Sequence, residues 1–586
     1  MASEQWAFPW ELIRQHQPLF DHFAVRNSNR GAKVIPLLDE QLADEEYRLE
    51  IKPDAVILSH SSRRGLFYAL ATLLQIFAFF RPQKRIPALS IRDFPQLPFR
   101  AFMLDISRGA VPRLETLKDL ILKLSLLKMN HFSLYIEDPT LIEDKNYPAM
   151  KRSVLTRAEL TQLINFARQL QVEVFPSLQS LCHLKNLLRY PGFGRFAAAG
   201  GDCIDPRRPE AVEFIETKSA EIAALFPSHL VNIGMDECEP LGSATDYLGH
   251  FLHVYHFFRS QGKTVMAWAD MFQKYPDTIK KIPGDVWLLN WDYASETKEE
   301  FLKKSAPFKR HHLSQVLCPG TWSWAKYIPS GQKSRRNIAA AYQAAKQDKL
   351  KGVMLASWGD DGNEYLLEGI ALALFSAGSF LWRGEEARPS AFAWWLEKST
   401  DLDLFRLFLF LSQVDEPLPY THRYYLFEDP LFAPFSKLRD GDEVIARYRK
   451  AAAYLQKRGR STGAGSGFVE FARHLYQLLA DKVAFSQELA RLLEQKQTAE
   501  IERRAADLAA RLEELKQRYF QLWIDEYKPE GLFENLAKLT RIQERWRYLR
   551  SLVGNGELST ALLLRLRNYA VDQPRSSIDA NDVFGQ

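Results

Sequence analysis

The stretch Leu230-Val-Asn-Ile-Gly-Met-Asp-Glu237 opens as a short apolar run and closes on two neighbouring carboxylic acids. Its first part, Leu230–Ile233, has the length and composition of one buried strand, and Gly234 marks where extended geometry can end. The same pattern repeats outward in both directions. Comparable runs lie at Phe102–Asp105, Phe132–Ile136, Glu173–Phe175, Thr264–Ala267, Val286–Leu289, Gln315–Cys318 and Val353–Ala356. Helical stretches separate them. Leu114, Leu117, Leu120, Ile121, Leu124 and Leu127 recur at helical spacing, and Thr156-Arg-Ala-Glu159 is a capping box. Strict strand–helix alternation predicts a (β/α)8 barrel over residues 99–389. An open doubly wound sheet is the rival, but it would show a Gly-rich phosphate loop after an early strand, and none is present.

The flanks read differently. Residues 1–98 hold strands at Tyr47–Ile51 and Ala55–Leu58 and a helix at Arg64–Phe80, so a small α+β domain is expected there. The proline-containing stretch Ile86–Pro98 reads as its linker. Residues 390–586 read as an all-helical domain. In it, Ile501, Ala505, Leu508, Leu512, Leu515, Tyr519 and Leu522 form a heptad stripe. Such a stripe packs within the chain as a bundle or against a second copy, which leaves room for a homodimer. The glycine-bearing stretch 458–467 reads as a loop, and the polar end from residue 572 as loose.

Composition narrows the function classes. The 586 residues are 46% hydrophobic and 25% charged, with 77 basic against 72 acidic residues, a net charge of +5. That near-balance gives no reason to expect nucleic acid or an acidic membrane as partner. The first twenty residues hold no apolar leader, and the longest apolar run, Leu66–Phe80, reads as a buried helix, so no membrane partner is expected. The cysteines, Cys182, Cys203, Cys238 and Cys318, are far apart and fit no zinc spacing. They read as reduced thiols, which predicts a cytoplasmic location. No metal or other cofactor is expected, since histidine ligands are nowhere clustered.

Reactive groups on a barrel sit just past the strand ends. That rule collects Asp105 and Arg108, Glu137 and Asp138, His183, Asp236 and Glu237, Trp268 and Asp270, Trp291, Asp292 and Tyr293, Trp322 and Trp324, then Trp358, Asp360 and Asp361. Carboxylates that grip hydroxyls, beside rings that stack on sugar faces, make a carbohydrate site. Each tryptophan taken singly is as readily core as site, and Asp270 and Asp292 are undecided. Cys238 has no histidine near it in sequence to activate it and reads as packing.

These motifs resemble the family 20 β-N-acetylhexosaminidases. Asn232-Ile-Gly-Met-Asp-Glu237 is similar to that family's catalytic signature, Phe99–Arg108 to its first barrel strand, Lys128–Asp138 to its second, and Val174-Phe-Pro with His183 to its third. The small first domain resembles the family's non-catalytic domain, and the helical end its shorter intracellular members. The resemblance implies a retaining exo-enzyme that removes terminal β-linked N-acetylglucosamine, or its galacto epimer, from an oligosaccharide or glycoconjugate. It implies that the substrate's acetamido oxygen is the nucleophile and an oxazolinium ion the intermediate, an exception to the usual enzymic carboxylate. Glu237 would be the acid and then the base, with Asp236 holding the acetamido N–H. Arg108 and Asp360 would bind hydroxyls, and Asp138 and His183 would steady the acids. Trp268, Trp291, Trp322 and Trp358 would wall the pocket, and Tyr293 would orient the acetamido oxygen.

The sequence departs from the family pattern in places. Ala101 stands where glycine is frequent, and Pro176-Ser-Leu-Gln179 replaces an acidic third-strand motif. The seventh strand lacks a Tyr-x-Asp, which bears on recognition of hydroxyls four and six. Neighbouring residues in a strand face opposite ways, so the chain must leave strand geometry at 234–236 for both acids to share a site. Two alternatives stand beside this reading. One is a related barrel glycosidase acting on another glycan, a glycoprotein or muropeptide fragments. The other is a carbohydrate-binding protein without turnover, for which a proton donor would have no use.

Overall fold

The computed structural model describes residues 6–25, 32–137, 154–190, 192–238, 241–360, 362–397, 402–432, 441–458 and 466–572. Near the N-terminus, strands β1 (Trp6–Ala7), β2 (Ala32–Leu38), β3 (Tyr47–Ile51), β4 (Ala55–His60) and β5 (Leu89–Asp93) form one mixed sheet in the order β1-β2-β4-β3-β5. The helix Arg63–Phe80 covers it and buries Phe67, Tyr68, Leu70, Leu73, Leu74 and Phe77. By length and composition alone, this helix passes for a membrane span. The run was read above as a buried helix. Here it serves as the core helix of the small domain, which explains its apolar character.

Eight parallel strands then close into a barrel: β6 (Phe99–Asp105), β7 (His131–Ile136), β8 (Glu173–Leu178), β9 (Leu230–Asn232), β10 (Thr264–Trp268), β11 (Trp287–Trp291), β12 (Ser314–Cys318) and β13 (Gly352–Ser357), with β13 pairing back onto β6. Strand alternation divides the core in two. Phe99, Ala101, Met103, Tyr135, Met266, Leu289, Val316 and Met354 fill the interior. Phe102, Leu104, Phe132, Leu134, Val265 and Val353 pack outward against the helices. Gly352 is needed where β13 meets β6, because a Cβ there would stand 1.9 Å from the Phe99 carbonyl oxygen.

The last part is helical, from Pro389–Glu397 to Thr560–Asp572. The heptad residues Ile501, Ala505, Leu508, Leu512, Leu515 and Tyr519 are buried in the helix Thr498–Glu526. That helix packs between Ser466–Glu494 and Glu530–Gly554, so the stripe is spent within the chain. Residues 459–465 and those after 572 lie outside the described residues.

Both flanking regions grip the barrel through buried polar contacts. Arg100 pairs with Glu45 at 2.8 Å and Lys128 with Asp93 at 2.6 Å on the small-domain side. On the other side the Lys528 N–H donates to the Val111 carbonyl at 2.8 Å, and the Arg113 N–H donates to Glu526 at 3.0 Å. The loop that follows β6 is thereby fastened to the helical region.

Candidate active site

The acid pair is built by a break in strand geometry. Asn232 ends β9, and its side-chain oxygen accepts the Gly234 N–H at 3.0 Å, turning the chain. Gly234, Met235 and Glu237 then take φ values of 74°, 79° and 48°. Side chains rarely adopt this left-handed region, so the surroundings must hold it. Tyr247 donates to the Met235 carbonyl at 3.1 Å, Cys238 Sγ to the Asp236 carbonyl at 3.2 Å, and the Glu237 N–H to Asp270 Oδ2 at 2.9 Å. Both acids consequently project to one side. His183 Nε2 stands 3.4 Å from Asp236 Oδ2 and 3.5 Å from Glu237 Oε2. Asp236 is buried, whereas the Glu237 side chain is 57% exposed at the mouth.

His183 owes its place to the loop after β8. It too is left-handed, with φ 58°. The Leu184 N–H donates to the Asp202 carbonyl at 2.9 Å and the Ile204 N–H to the Leu181 carbonyl at 2.9 Å. Between these bonds Cys182 and Cys203 form a disulfide. This corrects the expectation of four reduced thiols: Cys238 and Cys318 remain thiols, both buried. Twenty-one residues separate the pair in sequence, and the fold alone brings them together.

Charge is managed by pairing among largely buried groups. Burial opposes ionisation of Asp236, but the His183 charge at 3.4 Å, with a hydrogen bond from Gln179, holds it below the ordinary carboxylate range. Burial likewise opposes the His183 cation, and Asp236 and Glu137 overcome it, pushing the ring up to about 10. Burial, together with the nearby Asp236 charge, raises Asp270 to about 7. Burial also raises Glu137 to about 7 despite the neighbouring Arg108.

Beside the acids lies a second polar cluster. Arg108 reaches Asp105 at 2.9 Å, Glu137 at 2.6 Å and Asp360 at 3.2 Å. Burial works against the Arg108 cation, and these carboxylates overcome it and hold the cation firmly. The Gly359 N–H donates to Asp105 Oδ2 at 3.0 Å, tying the first strand end to the eighth. The Asp360 side chain is 45% exposed, which leaves it open to a hydroxyl.

Aromatic rings close the cup. Trp268 is fully buried at its floor, and Trp358 lies beside it with ring centres 5.8 Å apart. Trp291 stacks on Tyr293 at 5.2 Å and Trp322 lies against Trp324 at 4.7 Å. The Trp358 indole N–H donates to the Tyr293 hydroxyl at 2.6 Å. That bond fills an acceptor site and leaves the Tyr293 hydroxyl proton to be donated. Trp322 Nε1 donates to the Tyr293 carbonyl at 2.8 Å, linking two strand ends.

The structure therefore brings Arg108, His183, Asp236, Glu237, Trp268, Trp291, Tyr293, Trp322, Trp358 and Asp360 to one end of the barrel. Asp138 lies outside the described residues; its neighbour Glu137 holds Arg108 and approaches His183 to 3.9 Å. Asp292 turns away to cap Ser295 and pair with Lys304. Sequence reasoning collected Glu137 and Asp270 at strand ends, assigning the first no role and leaving the second undecided, and gave no role to Tyr135 or Gln179. Gln179 donates to Asp236 Oδ1 at 2.7 Å and to the Tyr135 hydroxyl at 2.8 Å. The signal was its place in the third-strand motif, where an acidic group was noted as missing. Among the described residues no group of His, Cys, Asp or Glu is arranged to hold a metal ion.

Comparison with known proteins agrees along most of the chain. Residues 97–359 match the glycosyl hydrolase family 20 catalytic domain, residues 14–94 that family's domain 2, and residues 412–539 the glycoside hydrolase 20C C-terminal domain. A β-hexosaminidase of Akkermansia muciniphila is 27% identical over 263 residues, covering 39% of this chain and 53% of that protein. One from Vibrio furnissii is 25% identical, covering 44% and 51%. The chain thus spans about half the length of these curated relatives. The solved β-N-acetylhexosaminidase of Bacteroides fragilis superposes with a TM-score of 0.53 at 19% identity, covering 72% of this chain and 92% of that one. The exo-β-N-acetylglucosaminidase of Vibrio harveyi in complex with N-acetylglucosamine also gives 0.53 at 19% identity, covering 69% and 74%. These likenesses show the fold.

Proposed function

Since the chain belongs to glycosyl hydrolase family 20, we propose that it is a retaining exo-β-N-acetylhexosaminidase acting on terminal β-linked N-acetylglucosamine, with the galacto epimer as a second substrate. The observation that carries this reading is the approach of one imidazole nitrogen to both neighbouring acids, at 3.4 Å and 3.5 Å, beneath a wall of indoles. A buried anion and an exposed acid, side by side, suit a reaction in which the substrate supplies its own nucleophile.

The proposed steps follow from these positions. Glu237, at the open mouth, gives its proton to the glycosidic oxygen as the bond to the anomeric carbon breaks. The acetamido oxygen forms the new bond to that carbon, with the Tyr293 hydroxyl donating to it. The acetamido nitrogen then gains positive character, and Asp236, held as an anion, stabilises its N–H. Glu237, now ionised, takes a proton from water. That water opens the oxazolinium ring and returns the β-hemiacetal with configuration retained. Arg108 and Asp360 hold ring hydroxyls by charge-assisted hydrogen bonds. The substrate is a glycan or glycoconjugate end; no step calls on a metal.

Hydrolysis of aryl β-N-acetylglucosaminide by the wild-type chain, loss in Glu237→Gln of hydrolysis of a substrate with a sugar leaving group, and inhibition by an oxazoline-mimicking thiazoline are the expected results. An inactive wild type would overturn the proposal, and indifference to the thiazoline would favour an enzymic nucleophile. A cytoplasmic location stays a proposal as well. It rested on reduced thiols, and the Cys182–Cys203 bond removes that support. Counting thiols in the denatured protein as isolated tests it: four favour the cytosol, two an oxidising compartment.

A further inference from the structure

Asp236 has two oxygens in different surroundings. Oδ2 faces His183 at 3.4 Å, an ion-pair distance without hydrogen-bond geometry. Oδ1 accepts from Gln179 Nε2 at 2.7 Å. The same amide nitrogen donates to Tyr135, whose hydroxyl donates to Glu137 at 3.2 Å, and Glu137 holds Arg108. An unbroken chain of donors therefore runs from the acid beside the acetamido position to the arginine beside the sugar hydroxyls.

The orientation of the Gln179 amide is determined by its neighbours. Turned over, it would set its carbonyl against the Asp236 carboxylate. As it stands, Oε1 is buried without a partner and lies against Gly234, where a Cβ would approach to 2.2 Å. The orphaned acceptor carries a cost. Glutamine keeps this orientation because its N–H group is demanded on the other side.

We propose that Gln179 is the positioning residue for Asp236, holding the carboxylate in a single rotamer with Oδ2 open to an acetamido N–H. This rests on the reading of the site as that of a substrate-assisted hexosaminidase. It assigns to a neutral, permanently protonated amide the place where the sequence pattern of the family carries an acid. Such a donor does not titrate, so the grip on Asp236 is independent of pH in the working range. The titratable groups facing Asp236 are His183 from the loop after β8, Tyr135 from β7, Asp270 after β10, Tyr293 after β11 and Tyr247 from the helix Ala244–Ser260, with Glu137, just past β7, on the other side of His183 at 3.9 Å.

The test compares wild type, Gln179→Met and Gln179→Glu in pH–rate profiles on aryl β-N-acetylglucosaminide, with thermal melts confirming that all are folded. Gln179→Met keeps the volume and removes the donor; kcat falls on the order of 10- to 100-fold at every pH, with KM little changed. Gln179→Glu donates only while protonated. It exceeds the Met variant at acid pH and loses activity on the alkaline side at least one pH unit before wild type. A merely structural role would not produce this rescue at low pH. Folded variants with wild-type kcat and profile shape, or Glu and Met variants equally impaired at every pH, would overturn the assignment while leaving the proposed reaction standing. A wild-type chain inactive on this substrate would instead overturn the reaction, and the assignment with it.

Discussion

Glu364, on the loop that follows the last barrel strand, is held by Arg423 of the helical region through hydrogen bonds of 2.9 Å to Oε2 and 3.0 Å to Oε1. Lys538 adds a second cation at 3.0 Å to the same carboxylate. The Glu364 side chain is fully buried, so its charge has no water to fall back on. This loop also carries Trp358 and Asp360. The helical region is thus part of what holds the far rim of the cup.

Breaking that pair should unfold or loosen the rim. Arg423→Met leaves a buried carboxylate short of its main partner, a loss of about 3–5 kcal/mol. The expected result is a lowered urea midpoint and a KM raised several-fold through displacement of Asp360. Equilibrium unfolding and steady-state kinetics check it; an unchanged midpoint would mean the pair contributes nothing net.

Gly234→Ala tests the break in strand geometry. Its φ of 74° disfavours a side chain, and a Cβ would meet Gln179 Oε1 at 2.2 Å and the Leu178 carbonyl at 2.6 Å. A stability loss of about 2–4 kcal/mol and a kcat reduced at least tenfold are expected, since both Asp236 and its donor are displaced. Thermal melts and initial rates measure the two effects separately.

Glu237→Gln removes the transferable proton while keeping size and polarity. On substrates with a sugar leaving group, kcat should fall by about a thousandfold or more, and far less on aryl glycosides whose leaving group needs no proton. Equal losses on both substrate types would count against Glu237 as the acid.

Asp270→Asn should raise stability at alkaline pH. Burial, with the nearby Asp236 charge, lifts the Asp270 carboxyl to about 7 from an ordinary value near 4. An acid raised on folding contributes stability that is complete below its ordinary value and lost as pH rises through 7. Asparagine keeps an acceptor for the Glu237 N–H and removes the buried charge. A gain on the order of 1–2 kcal/mol at pH 8, absent at pH 4, is expected after allowance for partial exposure. Urea denaturation at the two values measures it.

The barrel was legible because its signal is local. Each strand, such as Leu230–Asn232 or Gly352–Ser357, is a short apolar run between helical repeats, and strand ends locate the rim without any contact being known. Asp236 and Glu237 were found in the same way. The departure from strand geometry that lets both acids serve one site was stated as a requirement, and Gly234 and Met235 meet it with left-handed backbone. The heptad stripe was seen, but its partner was not.

What escaped the sequence is what depends on distant contacts. Gln179 read as a missing acid, and only its approach to Asp236, 57 residues away, makes it a donor. Cys182 and Cys203 read as separate thiols because spacing carries no pairing information. Glu137 was passed over for Asp138, a choice of strand face that alternation leaves open until a register exists.

By itself, then, the chain's pattern of apolar runs and chemistry at their ends determined the architecture, the family and the neighbouring acids, because these are encoded within a few residues of one another. The tertiary structure alone decided which groups hold those acids, which oxygen of Asp236 is occupied and which cysteines are joined. Those outcomes are set by distances across the barrel, and no local stretch of sequence contains them.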